Sequence, residues 1–355
     1  MKTIVLTGGG TGGHIIPHLS LIPLIKKDFE NIFYIGTKNG LEFDIMSKKQ
    51  GINFKSITAV KLQRDKKLEN LLLPFKLISS ICQAKKILKE IKPSVIFSKG
   101  GFVSVPVCIA GKLLKIPVVS HESDLSIGLA NKIIYKTCSS FCTSFEDTSK
   151  NLKKAVFTGS PIRPELFLGN KQIAYNQTKV SQNKPTILII GGSTGALTLN
   201  NKIYKALPEL LKTYNVIHIV GKNKGDKSKT FKDYCQLEYC QNIQDILAIT
   251  DIVISRAGSN AIFEFLALKK PMILIPLPKN ASRGDQIENA KYFENKGFSK
   301  TILQEKLTKE FLLKAIKEIE KNKNFYISNM SKNLENLNGA KNIYSQILKF
   351  AKPNN

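Results

Sequence analysis

Short apolar runs rich in Val, Ile and Leu alternate along this chain with longer stretches that carry a helical period. TIVLT (3–7), NIFYIGTKNG (31–40), VIFSKGG (95–101), KIPVVSHE (115–122), TILIIGGSTGA (186–196), NVIHIV (215–220), IVISRAG (252–258) and KKPMILIP (269–276) read as strands passing into polar or glycine-rich turns. LENLLLPFKLISSICQAKKILKEI (68–91) and KLTKEFLLKAIKEIE (306–320) carry an apolar stripe and read as helices. Alternation of this kind predicts parallel sheets with helices on both faces.

The pattern also repeats at long range. TIVLTGGGTGG (3–13) lies over TILIIGGSTGA (186–196) at an offset of 183 residues. VIFSKGG then resembles IVISRAG, and KIPVVSHE resembles KKPMILIP, in the same order. Two Rossmann-like domains are expected, in keeping with a length of 355 residues. The boundary is placed after GSPIRPE (159–165), because 168–185 is polar and lacks a clear period. This gives domains at 1–164 and 165–339, with a C-terminal helix at about 340–355 packing back on the first.

Composition narrows the setting. The chain carries a formal charge of +27, and of its 54 basic residues only four are Arg (64, 163, 256 and 283). Such a field attracts polyanions or anionic lipid. The lysines are spread out and no nucleic-acid module is recognisable, so a nucleic-acid partner is not expected. Six scattered cysteines without a CxxC pair read as buried thiols of a reducing compartment. Met1 leads straight into a strand, leaving no signal peptide, and no apolar stretch is long enough to span a bilayer.

Glycines 8, 9, 10, 12 and 13 crowd the first turn, GGGTGGHIIPH (8–18). Free N–H groups and the positive end of the following helix favour an anion there, so a phosphate group is expected at this turn. Gly8, Gly10 and Gly13 satisfy G-x-G-x-x-G, but NIFYIGTKNG ends without the acidic residue that grips a dinucleotide ribose. GGSTG (191–195) satisfies the G-x-S-x-G elbow, yet the only later histidine, His218, sits inside an apparent strand. His14 and His18 have the spacing of a zinc pair without its glutamate, and with Pro17 between them. Ser193 is more simply a hydroxyl donor to a phosphate. In ISRAGSNAIFEF (254–265), Gly258 and Ser259 open a helix that brings Glu264 to its first turns, where a carboxylate can accept both hydroxyls of a ribose.

GGGTGGHIIPHLSL, SKGGFVSVP, HESDLSIGLANK, TGSPIR, GGSTGA, ISRAGSNAIFEF and ASRGDQIENA occur in this order between residues 8 and 290. With these motifs the chain resembles the MurG family of bacterial peptidoglycan glycosyltransferases over nearly its whole length. The resemblance implies a GT-B fold, two Rossmann-like parallel-sheet domains facing across a cleft. It also implies inverting transfer of GlcNAc from UDP-GlcNAc to the MurNAc 4-hydroxyl of undecaprenyl-diphospho-MurNAc-pentapeptide. The donor would be held by the C-terminal domain and the acceptor approached by the N-terminal one.

Carried over by position, Thr11, Gly12 and Gly13 match a loop that contacts the donor, and His14 matches a general base, a role open to an imidazole. Glu122, at the end of a strand, is a rival base. Arg163 and Ser193 match donor positions, and Ile243 sits near the uracil-side loop. Arg256, Ala257, Gly258, Ser259, Asn260 and Ala261 match the loop around the nucleotide, Glu264 the ribose ligand and Gln286 a contact to the sugar ring. Gly100, Gly101, Phe102 and Asp124 fall on the acceptor side. The chain departs from the family in three places: Phe102 replaces a Tyr, HESD ends in Asp124 where many relatives carry HEQN, and ASRGDQ has one Gln where others have two.

No DxD-type metal motif or cofactor is expected, so leaving-group charge falls to helix N-termini, Ser193 and Arg163. The polyprenyl acceptor implies a peripheral protein on the cytoplasmic side of the cell membrane. LLLPFKLISSI (71–81), flanked by lysines, is a candidate docking surface for anionic lipid, with a helix packed on the sheet as the alternative. Other cell-wall synthesis proteins are expected partners. Two other classes remain open: another GT-B transferase, such as a diglycosyldiacylglycerol synthase, and a non-catalytic sugar-nucleotide binder.

Overall fold

The computed structural model describes residues 2–59, 73–150, 152–192, 196–333 and 337–351. The chain divides into two units, the first running from the N-terminus to Pro161 and taking back the C-terminal helix, the second beginning at Ile162.

The first unit is a seven-stranded sheet. Its strands are β1 (Thr3–Thr7), β2 (Asn31–Gly36), β3 (Asn53–Ser56), β4 (Val95–Ser98), β5 (Val118–Glu122), β6 (Ser140–Thr143) and β7 (Ala155–Phe157). They pair in the order β3-β2-β1-β4-β5-β6-β7, all parallel. TIVLT is buried at every position because helices cover both faces of its sheet. Successive side chains serve opposite cores: Ile4 and Leu6 join one cluster and Val5 the other. Ile343 and Ile347 of the C-terminal helix Gly339–Phe350 lie in the cluster with Ile4 and Leu6.

The second unit has six parallel strands, β8 (Thr186–Ile190), β9 (Asn215–Ile219), β10 (Tyr234–Leu237), β11 (Ile252–Ser255), β12 (Met272–Leu274) and β13 (Ser299–Thr301). They pair in the order β10-β9-β8-β11-β12-β13. In each unit the strand order reverses beside the first strand, between β1 and β4 and between β8 and β11. At such a switch point two loops leave in opposite directions and open a crevice beyond the carboxyl ends of the strands.

Two expectations need correction. The polar stretch 168–185 contains a helix, Lys171–Thr178, whose first N–H groups are capped by the Asn170 side chain and whose end turns through Lys179 at φ 58. It buries only Ala174 and Thr178, too few positions to print a period on the sequence. The cysteines are all free, but they are not all buried: Cys82 is exposed and Cys235 only half-buried. Burial pushes the Cys108 and Cys142 thiols up to about 12.

Three histidines are locked inside the units. Burial lowers His18 and His218 to about 3 and holds His121 well below its ordinary value. His218 faces the Tyr234 hydroxyl through Nδ1 and the Asn200 Oδ1 through Nε2, each at 3.1 Å. An unfolded chain protonates these rings near 6.5 while the folded one does not, so the unfolded state binds more protons below that pH. Stability is therefore expected to fall as pH drops below about 6.5, by up to about 1.4 kcal/mol per pH unit for each ring. Chemical denaturation at pH 7.5 and pH 5 checks this; an unchanged midpoint would mean that the rings titrate alike in both states.

Candidate active site

At the exit of β1 the chain turns back on itself. A Cβ on Gly8 would lie 2.2 Å from the His14 carbonyl oxygen, and one on Gly101 would lie 2.3 Å from the Gly9 carbonyl oxygen. Gly101 also has φ +83. Gly8 is therefore required by the β1 loop closing on itself and Gly101 by the meeting of the β1 and β4 loops, needs that are met without a phosphate group. Thr11 precedes a single 3-10 turn, Gly12–His14, and is exposed. Pro17 occupies the first turn of the helix Ile16–Ile25, where its missing N–H costs nothing.

The His14 Nδ1 lies 3.1 Å from the Lys99 carbonyl oxygen. A carbonyl only accepts, so in the neutral ring the hydrogen sits on Nδ1 and Nε2 is the basic nitrogen. His18, one turn along, is fully buried between Tyr34 and Phe97. Among the described residues no three His, Cys, Asp or Glu side chains are gathered as a metal ion would need.

Glu122 is differently placed. Its carboxylate accepts from the Asp124 and Gly128 amides and from Asn131 Nδ2, all at 3.0 Å, and the residue is 3% exposed. Burial and the neighbouring Asp124 push its carboxyl up, against these three hydrogen bonds. The group ties the loop after β5 to the start of the helix Leu129–Thr137. Gly100, Gly101, Phe102 and Asp124 all stand at the exits of β4 and β5, with Gly10 packed on the Phe102 ring.

Two buried ionisable side chains escaped the sequence reading. Lys99 is 1% exposed and donates from Nζ to the Ser123 hydroxyl. Burial pulls it down to about 8, opposed by the charges of Glu122 and Asp124. Glu42 is fully buried and accepts from Thr37 N at 3.1 Å, Thr37 Oγ1 at 2.5 Å and Gly10 N at 3.3 Å. This first carboxylate after β2 is thus engaged in bracing loops. The signal for Lys99 was the echo of SKGG in SRAG; nothing in KNGLEF marked Glu42.

In the second unit, Arg163 and Glu264 form a two-pronged ion pair, Nε to Oε1 at 2.7 Å and Nη2 to Oε2 at 3.0 Å. Burial pulls the guanidinium down, and the bond to Glu264 outweighs it, leaving the group above its ordinary value. Glu264 stands in the helix Ser259–Ala267 that follows β11, with Gly258 as its N-cap and Asn260 and Ala261 half-buried in its first turn. A Cβ on Gly258 would meet no described atom within 4 Å, and its φ of −70 suits any residue. Neither packing nor backbone asks for glycine there. Ser193 lies outside the described residues.

Arg256 is not at the surface of this loop. Its guanidinium is buried on the Ile275 and Pro276 carbonyls and on Gln304, and burial lowers it. Gln286, in the first turn of the helix Asp285–Asn295, accepts from Leu277 N at 3.1 Å. Both hold the segment after β12 in place. Ala257 is buried and Ile243 opens the helix Ile243–Ile249.

Comparison with known proteins finds a family for both halves of the chain. The Glycosyltransferase family 28 N-terminal domain matches residues 4–143 and the Glycosyltransferase family 28 C-terminal domain residues 186–347. A Clostridium botulinum protein named "UDP-N-acetylglucosamine--N-acetylmuramyl-(pentapeptide) pyrophosphoryl-undecaprenol N-acetylglucosamine transferase" is 47% identical over 99% of this chain and 100% of its own. A Lachnospira eligens protein of the same name is 48% identical over 94% of this chain and 95% of its own. The chain belongs to the MurG family. The solved MurG of Acinetobacter baumannii has the same GT-B fold, with a TM-score of 0.76 at 22% identity over 98% of this chain and all of that one.

Proposed function

We propose that the chain transfers GlcNAc from UDP-GlcNAc to the MurNAc 4-hydroxyl of undecaprenyl-diphospho-MurNAc-pentapeptide, with inversion at C1. The observation that carries this is near-half identity, end to end, with proteins named for that reaction. In the step, the acceptor O4 bonds to C1 of GlcNAc as the bond from C1 to the diphosphate oxygen breaks. The O4 proton passes to His14 Nε2 and UDP leaves. The ring orientation imposed by Lys99 O supports His14 in this role, and the three donors already on Glu122 favour bracing over proton transfer for that residue.

Donor recognition is assigned to the second unit. Glu264 holds the ribose hydroxyls while Arg163 neutralises its charge, so that a diphosphate can lie nearby. Gly258, glycine without a structural need, lets the ligand approach the N-terminus of its helix. Ser193 and Ile243 complete this side; Arg256 and Gln286 act through the segment they fix. Thr11, Gly12 and Gly13 match the family's donor-contacting loop, and Gly100, Gly101, Phe102 and Asp124 are assigned to the acceptor. Incubation with UDP-GlcNAc and a short-chain lipid I analogue tests the reading: the disaccharide-diphospholipid is expected. With diacylglycerol added as a competing acceptor, a glycosylated diacylglycerol as the sole product would support the first of the two other classes, and binding without turnover the second.

No helix among the described residues is long and apolar enough to cross a membrane. The helix Leu73–Ile91 buries Ser80, Ala84 and Leu88 but leaves Phe75 71% and Ile78 58% exposed. This supports docking of its first turns on an anionic cytoplasmic membrane surface, where the polyprenyl acceptor is held. Replacing Phe75 and Ile78 by Ser is expected to cut sedimentation with anionic liposomes at least severalfold without changing UDP-GlcNAc affinity. Unchanged sedimentation would leave that face a solvated helix.

A further inference from the structure

Lys99 and Arg256 hold equivalent places in the two halves. In VIFSKGG and IVISRAG each cation follows directly on its strand, β4 or β11, and precedes the glycine turn at the switch point. Each side chain is buried, and each crosses to the exit of the next strand. Arg256 reaches the Ile275 and Pro276 carbonyls just beyond β12, and Lys99 reaches the Ser123 hydroxyl just beyond β5. The neighbouring strands repeat as well, β1-β4-β5 in one sheet and β8-β11-β12 in the other. The duplicated fold therefore carries a duplicated clamp.

We propose that Lys99 is a positioning residue for the acceptor: its ammonium ties the 122–128 loop to the β4 exit, beside the carbonyl that orients His14. This rests on the functional reading above. The groups facing Lys99 are Glu122 from β5 and Asp124 from the loop beyond, both attracting it, and the imidazoles of His18 and His121, which burial keeps neutral. His14 Nδ1 lies 3.1 Å from the Lys99 carbonyl oxygen. The ammonium is formed below about 8 and lost above it, since burial lowers it that far. Its equivalent, Arg256, stays charged throughout.

The test is transfer from UDP-GlcNAc to a short-chain lipid I analogue by the full chain, with UDP-GlcNAc affinity measured by calorimetry. Lys99→Met is expected to raise the acceptor KM roughly tenfold to hundredfold, the loss of one charged hydrogen bond, with donor affinity unchanged. Lys99→Arg is expected to restore most of it, and to lack the fall in acceptor kcat/KM that is expected of the wild type above about pH 8. If Lys99→Met does not fold, Ser123→Ala carries the test through a rise in acceptor KM. An unchanged acceptor KM in the folded variant, an equal loss of donor affinity, or an alkaline limb that Lys99→Arg leaves in place would overturn the proposal. A wild-type chain that forms no disaccharide product would overturn the functional reading itself, and the role of Lys99 with it.

Discussion

Replacing His14 by Ala is expected to lower kcat by about 10²- to 10⁴-fold, the range of a lost general base, while UDP-GlcNAc affinity stays within about twofold. The separation follows from geometry. The Nδ1 hydrogen is committed to Lys99 O at 3.1 Å, which leaves Nε2 to accept the hydroxyl proton, whereas the donor's nucleotide is assigned to the other unit. His14→Gln sharpens the result, because an amide can still donate to that carbonyl but cannot take up a proton. It should be as slow as the Ala variant. Recovery of activity with Gln would make the ring a brace for the β4 exit, and an unchanged kcat in His14→Ala would remove it from the chemistry.

Glu264→Ala is expected to weaken UDP-GlcNAc by roughly tenfold to hundredfold, about 1.5–3 kcal/mol for hydrogen bonds to a charged group. The Arg163 and Glu264 side chains are 22% and 15% exposed, so the loss should fall short of that for a fully buried ion pair broken on one side. Arg163→Met is expected to weaken the donor too, and the double variant to be less impaired than the two losses combined, since the guanidinium and carboxylate share two bonds at 2.7 and 3.0 Å. Calorimetric titration of the four proteins measures this. Losses that simply add would mean that the pair does not act as a unit.

Much of this was legible in the sequence alone. Positions that had to be apolar on both faces of a parallel sheet, such as TIVLT and TILII, declared themselves as strands, and the glycine turns at their ends marked the loops. The bond between His14 and Lys99 was not legible, because it joins residues 85 apart whose loops meet only where β1 and β4 lie side by side. Nor was the engagement of Glu122: HESD reads as a free carboxylate at a strand end until Gly128 and Asn131 fold back on it. The anchoring of Arg256 was not legible for the same reason, since its partners Ile275 and Pro276 belong to the neighbouring strand's exit.

By itself the sequence determined the two Rossmann-like halves, their parallel sheets, the motif order of the family and the residue types offered at each loop. These depend on local period and on spacing, which a linear chain carries in full. Only the tertiary structure decided which of those side chains stay exposed and which turn inward to hold a loop. That choice is made by desolvation and by hydrogen-bond partners from other strands, and both exist only once the sheet has brought distant loops together.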